Sequence, residues 1–257
     1  ISGVSFTGST RAGREIAKVA GQFLKKCVLE LGGNDAYIVC EDADVNLSAQ
    51  KVYQGRIINS GQSCISAKRI FVHESITESF LEKLVSYLKE IQFGDPQLSK
   101  NLMGPLARRD LVDQLQDQLQ VALAQGAQIH YQKELPKELH GKNFFPPTVI
   151  TQIPTNGISH YDEFFGPIFS ISNYKTDEEA LQLANQSPYG LGGAIFTQDK
   201  ARAQRLAMNL QTGSVAINDY LKSAPERPFG GIKNSGYGSE LGESGFFEFT
   251  HQKVIVF

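Results

Sequence analysis

Cysteine is scarce in this chain: Cys27, Cys40 and Cys64 are odd in number and form no CxxC pair. That pattern argues against a disulfide framework and a zinc site, so no metal is expected. It points instead to a reducing, cytoplasmic setting. No apolar run approaches the roughly 20 residues that a membrane helix needs. No secretory leader is expected either, because ISGVSFTGST has neither a basic start nor a long apolar stretch. Charge of one sign is not in excess. With 25 basic and 27 acidic residues the net charge is -2, which gives no general attraction to nucleic acid or to an anionic membrane. Repeats and low-complexity linkers are absent as well.

What the chain does have is enough apolar material for a substantial core: 41% of 257 residues, room for one large α/β domain or two smaller units. It opens at Ile1 in a strand-like GVSF and stops in an apolar KVIVF, so it is expected to be part of a longer protein. Strand patterns fall at 3–6, 36–40, 69–73, 168–174, 192–196 and 213–218. Helical patterns fall between them, near 12–23, 46–59, 77–91, around Leu111 to Leu119, after TDEE at 176–179, and at 199–210. This alternation predicts an α/β fold with a parallel, doubly wound sheet. KVIVF is either an edge strand or an addition to another subunit's sheet. Glycine, 24 residues, exceeds the ~7% typical of proteins. Much of the excess lies in GGIKNSGYGSELGESG, read as a tight irregular loop.

Four stretches could carry chemistry. FTGSTRAG runs from a strand into a helix start, where backbone N–H groups can hold an anion. Gly8 and Gly13 have the spacing of a P-loop's glycines, but Arg14 and Glu15 stand where Lys and Ser or Thr belong, and GxGxxG is also missing. An ordinary tight turn is the alternative. In LELGG, a carboxylate between leucines gains basicity if Glu30 is buried; otherwise it is an exposed strand end. Cys64 sits among Gly61, Gln62, Ser63 and Ser66, with Lys68 and Arg69 near enough in sequence to favour a thiolate. Cys27 and Cys40 have the apolar neighbours of packing residues. In EFFGPIF, Glu163 suits ribose hydroxyls and Phe165 a flat ring, or Phe164 and Phe165 simply pack a loop.

Together and in order, FTGST, LELGG, GQSC, EFFGP and PFGGIKNSGYGSELG resemble the NAD(P)-dependent aldehyde dehydrogenases over essentially the whole chain. NSGQSCISAKR, GPLARRDL and FFPPTV look most like the succinate-semialdehyde dehydrogenase branch. The resemblance implies NAD or NADP as cofactor, a small aldehyde as substrate, and a homo-oligomer joined through the C-terminal strand. Cys64 then matches the nucleophile and Glu30, 34 residues earlier, the general base. Gly8, Ser9 and Gly13 match the turn near the pyrophosphate, and Leu31 a backbone carbonyl meeting the nicotinamide amide. Glu163 matches the ribose ligand, and Phe165 the aromatic beside the nicotinamide. The family's second oxyanion donor and its adenine-ribose lysine lie upstream of FTGST. Residues 1–30 would thus be the remnant of a cofactor domain, 31–222 the catalytic domain, and 223–257 a return segment with the oligomerisation strand. Ser66 replaces a second cysteine found in several semialdehyde dehydrogenases, so no disulfide switch is expected. Arg56, Arg227 and Ser223 are candidates for a substrate carboxylate. The alternatives are a cysteine hydrolase and a non-catalytic assembly domain.

Overall fold

The computed structural model describes residues 1–98 and 103–257. The chain begins with β1 (Gly3–Thr7). Ser9 then caps α1 (Thr10–Gln22), its hydroxyl accepting the Ala12 N–H at 3.3 Å. β2 (Lys26–Glu30) returns parallel to β1. The next units are β3 (Ala36–Val39), α2 (Val45–Ile57), β4 (Arg69–His73) and α3 (Thr77–Lys89). α4 (Arg109–Ala124), β5 (Gln128–Gln132), β6 (Thr148–Thr151) and the single turn α5 (Ile158–Tyr161) follow. β7 (Ile168–Tyr174), α6 (Asp177–Asn185), β8 (Tyr189–Gly190) and β9 (Gly192–Phe196) lead to α7 (Lys200–Asn209) and β10 (Ser214–Ile217). The last segment holds β11 (Ile232–Lys233), β12 (Gly236–Tyr237) and α8 (Gly242–Phe247).

A seven-stranded sheet runs in the order β10-β9-β3-β4-β7-β6-β5. Every pairing in it is parallel except β5 with β6. The expected all-parallel sheet is therefore mixed at one edge. QIHYQ and TVIT gave no strong pattern, because β5 is mostly exposed and both strands are short. The winding on both faces is direct. Tyr37 and Val39 point into one core with Val52, Phe80, Leu84 and Leu88 of α2 and α3. Ala36, Ile38 and Cys40 point into the other with Ala180, Leu206 and Leu210 from α6, α7 and the residue after it. Alternate residues of one strand bury on opposite faces because the side-chain period is two. Each fully buried Leu or Phe contributes about 1.5–3 kcal/mol.

A second sheet, β1-β2-β12, packs against α1, whose Ala20 meets Cys27, Leu29 and Leu31. Its third strand comes from the far end of the chain: Gly236 pairs with Glu30 and Tyr237 with Leu29. The glycine-rich tail is thus not wholly irregular; two short strands interrupt it. Residues 1–30 and part of 223–257 share one sheet. KVIVF forms no strand and is exposed, Val254 at 85% and Val256 at 87%.

Candidate active site

The two sheets meet at one seam. β1 ends at Thr7 and β2 at Glu30, while β3, β4 and β7 begin at Ala36, Arg69 and Ile168. The connections between these strand ends line a cavity of about 790 Å³. Gly8, Ser9, Leu31, Cys64, Glu163 and Phe165 all face it. Four of the five motifs therefore converge on it, while residues 228–242 do not line it.

Cys64 is held by an unusual backbone. After α2, Asn59 (φ 50°), Ser60 (φ 57°) and Gly61 (φ 82°) are consecutively left-handed. Such a run is strained for residues bearing a Cβ and persists where surrounding contacts over-determine it. Here the contacts are explicit. The Ser60 hydroxyl donates to the Gly104 carbonyl at 2.8 Å, and Gln62 Oε1 accepts the Ala107 N–H at 2.9 Å. Gly61 presses on the backbone of Gly166 and Pro167, where no side chain fits.

Arg56 locks the same loop from beneath. It is fully buried and donates to the carbonyls of Ile168 (2.7 Å), Phe164 (2.6 Å) and Gly61 (3.4 Å), and to Ser66 Oγ (2.5 Å). Four of its five N–H donors are used beneath the loop and it does not line the cavity, so Arg56 is no ligand for a substrate carboxylate there. Ser66 is the acceptor that completes this clamp. Arg227 and Ser223 line a separate cleft of about 290 Å³. None of the three expected carboxylate ligands faces Cys64.

Burial pushes Cys64 up to about 11, with Lys68 working against that rise and Asp35, Glu163 and Glu30 adding to it. Arg69 is spent elsewhere, donating to the carbonyls of Asn34, Leu183 and Ala184. Of the two cations that could favour the thiolate, only Lys68 acts on it, and desolvation exceeds that one cation's help. Cys27 and Cys40 are buried packing residues as expected.

Glu30 is 2% exposed, and neither carboxylate oxygen has a partner among the described residues. Burial, reinforced by Glu240, raises it to about 8. It is not an exposed strand end. Its side chain lies on the face of β2 away from Leu29 and Leu31, and Gly230 closes over it. Glu30 does not line the cavity itself, yet its charge reaches Cys64.

Glu163 is gripped twice, by the Gly33 N–H at 3.2 Å and by Lys68 Nζ at 3.2 Å. Phe164 is buried beside α4, whereas Phe165 is 36% exposed and faces the cavity. The two aromatics of EFFGP thus divide the two readings between them. Gly13 does not line the cavity: it is a glycine because Leu31 packs onto it, which corrects its placement in the anion turn. Leu31 lines the cavity, its side chain packed on Gly13, and donates its N–H to the Ser235 carbonyl at 3.0 Å.

Sequence reading missed one wall, formed by Arg108, Leu111, Gln114 and Gln118 along α4 and its cap. Their spacing of three and four is the available signal, since it puts them on one helical face. Arg11 and Tyr189 complete the lining. Among the described residues no histidine lines the cavity, so none stands beside Cys64 as the activating base of a cysteine hydrolase would. No cluster that could hold a metal exists among the described residues. No described helix is long and apolar enough to cross a membrane.

Fold and site define an α/β protein with a cysteine-bearing loop, a buried carboxylate and an acidic corner at the seam of two sheets. The chain belongs to the aldehyde dehydrogenase family, whose profile matches residues 1–255. It is 42% identical to the succinate-semialdehyde dehydrogenase [NADP(+)] of Deinococcus radiodurans, covering 99% of this chain and 53% of that protein. It is also 42% identical to a succinate semialdehyde dehydrogenase [NAD(P)+] of Escherichia coli, covering 99% and 55%. Betaine aldehyde dehydrogenase of Staphylococcus aureus, solved with NAD+, superimposes with a TM-score of 0.93 at 37% identity, over 97% of this chain and 50% of that one. The chain spans about half the length of the curated relatives it matches.

Proposed function

We propose that this chain is the C-terminal, catalytic part of an enzyme that oxidises an aldehyde, succinate semialdehyde in the first place, to its carboxylic acid with NAD or NADP. The observation that carries the reading is the convergence of Cys64, Glu163, Phe165 and the Ser9 turn on one cavity. Identity to the two succinate-semialdehyde dehydrogenases supports the choice of substrate and cofactor.

The residues fit the ring end of a dinucleotide. Glu163 Oε2 would lie 2.6 Å from a Cβ on Gly32, so that corner stays open only because residue 32 has no side chain. Glu163 would accept the ribose hydroxyls and Phe165 would flank the nicotinamide. Gly8 and Ser9 would lie near the pyrophosphate. When bound, the cofactor supplies the hydride acceptor.

Cys64 does the covalent work. The thiol gives its proton to solvent and its sulfur bonds to the aldehyde carbon. The carbonyl π pair moves onto oxygen as a tetrahedral oxyanion that the Cys64 N–H stabilises; such a donor contributes about 2.7–4 kcal/mol. After hydride leaves, the acyl group remains on sulfur as a thioester. Glu30, raised towards neutrality by burial, takes a proton from water, and the resulting hydroxide attacks the thioester carbon. The acid departs and the thiol is regenerated. The second oxyanion donor belongs to the segment upstream of residue 1, so activity is assigned to the full-length protein.

The test is formation of reduced cofactor by the full-length protein with succinate semialdehyde, betaine aldehyde and small unbranched aldehydes, each with NAD and NADP. Efficient turnover of succinate semialdehyde is expected. No reduced cofactor with any aldehyde would overturn the reading.

A further inference from the structure

Behind the nucleophile lies a cation whose role the reaction scheme does not use. Lys68 is 1% exposed. Its Nζ donates to the carbonyls of Ser63 and Cys64, each at 2.8 Å, and pairs with Glu163 Oε1 at 3.2 Å. An ammonium has three protons and no acceptor, so these three contacts use all of it. Its backbone is equally fixed: the Lys68 carbonyl accepts the Ser170 N–H of β7 at 3.2 Å, one residue before β4 begins.

The consequence follows from peptide geometry. In a trans peptide the C=O and the next N–H point in opposite directions. Drawing the Ser63 carbonyl onto Lys68 therefore turns the Cys64 N–H away from it. That N–H donates no hydrogen bond among the described residues and is free for a ligand. The same ammonium holds Glu163, whose other oxygen borders Gly32 in the cavity. Around the thiol stand three carboxylates, Asp35, Glu163 and Glu30, and Lys68 is the cation that offsets them.

We propose that Lys68 is a positioning residue: one buried ammonium fixes the plane of the Ser63–Cys64 peptide and ties the nucleophile loop to Glu163. This rests on the aldehyde-oxidising reading for its effect on turnover. Its effect on the thiol itself does not depend on that reading.

The experiment compares wild type with Lys68→Met and Lys68→Gln in the full-length protein. Iodoacetamide alkylation of Cys64 is followed by mass spectrometry as a function of pH, beside steady-state kinetics with succinate semialdehyde and varied NADP. Both variants should move the alkylation profile to higher pH, slowing labelling at pH 8 by roughly tenfold, the equivalent of one pKa unit. kcat should fall by about tenfold or more, and KM for NADP should rise because Glu163 loses a partner. An unchanged alkylation profile in a folded variant overturns the proposal. So does failure of both variants to fold, scored by thermal melting, since Lys68 would then support the fold rather than aim the loop. A wild type that reduces no cofactor sinks the functional reading alone, and the alkylation profile still judges Lys68.

Discussion

The carbonyl oxygen of Cys64 rests on the α-carbon of Gly33, closer than any side chain there would permit. Two motifs some 30 residues apart in sequence are thus in backbone contact. Gly33 also gives its N–H to Glu163 at 3.2 Å, so one glycine touches both the Cys64 loop and the Glu163 corner. The double glycine of LELGG is a packing requirement of the site as well as a turn.

Replacing Cys64 by alanine in the full-length protein should abolish aldehyde oxidation, read as loss of reduced-cofactor formation. The fold should survive, with a melting temperature within a few degrees of wild type, because the thiol makes no structural bond. Near-normal turnover would refute its role. In the cofactor-free protein, alkylation of Cys64 should be slow at pH 7 and climb steadily towards its pKa of about 11.

Glu30→Gln should slow thioester hydrolysis, so that a burst of reduced cofactor precedes a slow steady state. In wild type the base is the carboxylate, present above its pKa, so deacylation should accelerate as pH rises through about 8. The stability effect has the opposite sense. Glu30 binds its proton more tightly folded than unfolded, so stability is lost as pH rises from about 4.5 to about 8. Glutamine removes that loss, and the variant should be more stable than wild type at pH 9 by on the order of a few kcal/mol. Denaturant titrations at pH 5 and 9 check it; a variant destabilised at pH 9 would contradict the burial argument.

Arg56→Met should cost about 3 kcal/mol or more, since three buried carbonyls and the Ser66 hydroxyl lose their donor at once. Urea unfolding measures the loss. A folded variant of normal stability whose only defect is a raised KM for succinate semialdehyde would return Arg56 to the substrate.

The 257-residue chain on its own should show little or no turnover of succinate semialdehyde, even when folded. Robust activity, measured as reduced cofactor with NAD or NADP, would show that the second oxyanion donor is not needed or lies within these residues.

Much of the architecture could be read directly. RIFVH, IFSISNY and GGAIF are strands at the residues expected, because short apolar runs between polar ends have few other outcomes. The helix after TDEE is capped as its pattern promised, Thr176 accepting the Glu179 N–H at 3.3 Å. QIHYQ was harder because β5 is short and mostly exposed, and KCVLE because one of its partner strands comes from the far end of the chain. Residue types likewise nominated Cys64, Glu30 and Glu163 as reactive or binding groups.

Local pattern thus decided which segments are strands and helices, and ordered motifs decided the family. Only tertiary structure decided what the charged groups do. Arg56 is a buried clamp, Gly13 a seat for Leu31, Glu30 an unpartnered acid under Gly230, and Lys68 the tie between two loops. The physical reason is range. Periodicity and capping act over a few residues, whereas desolvation and the direction of a hydrogen bond depend on whatever the fold brings alongside.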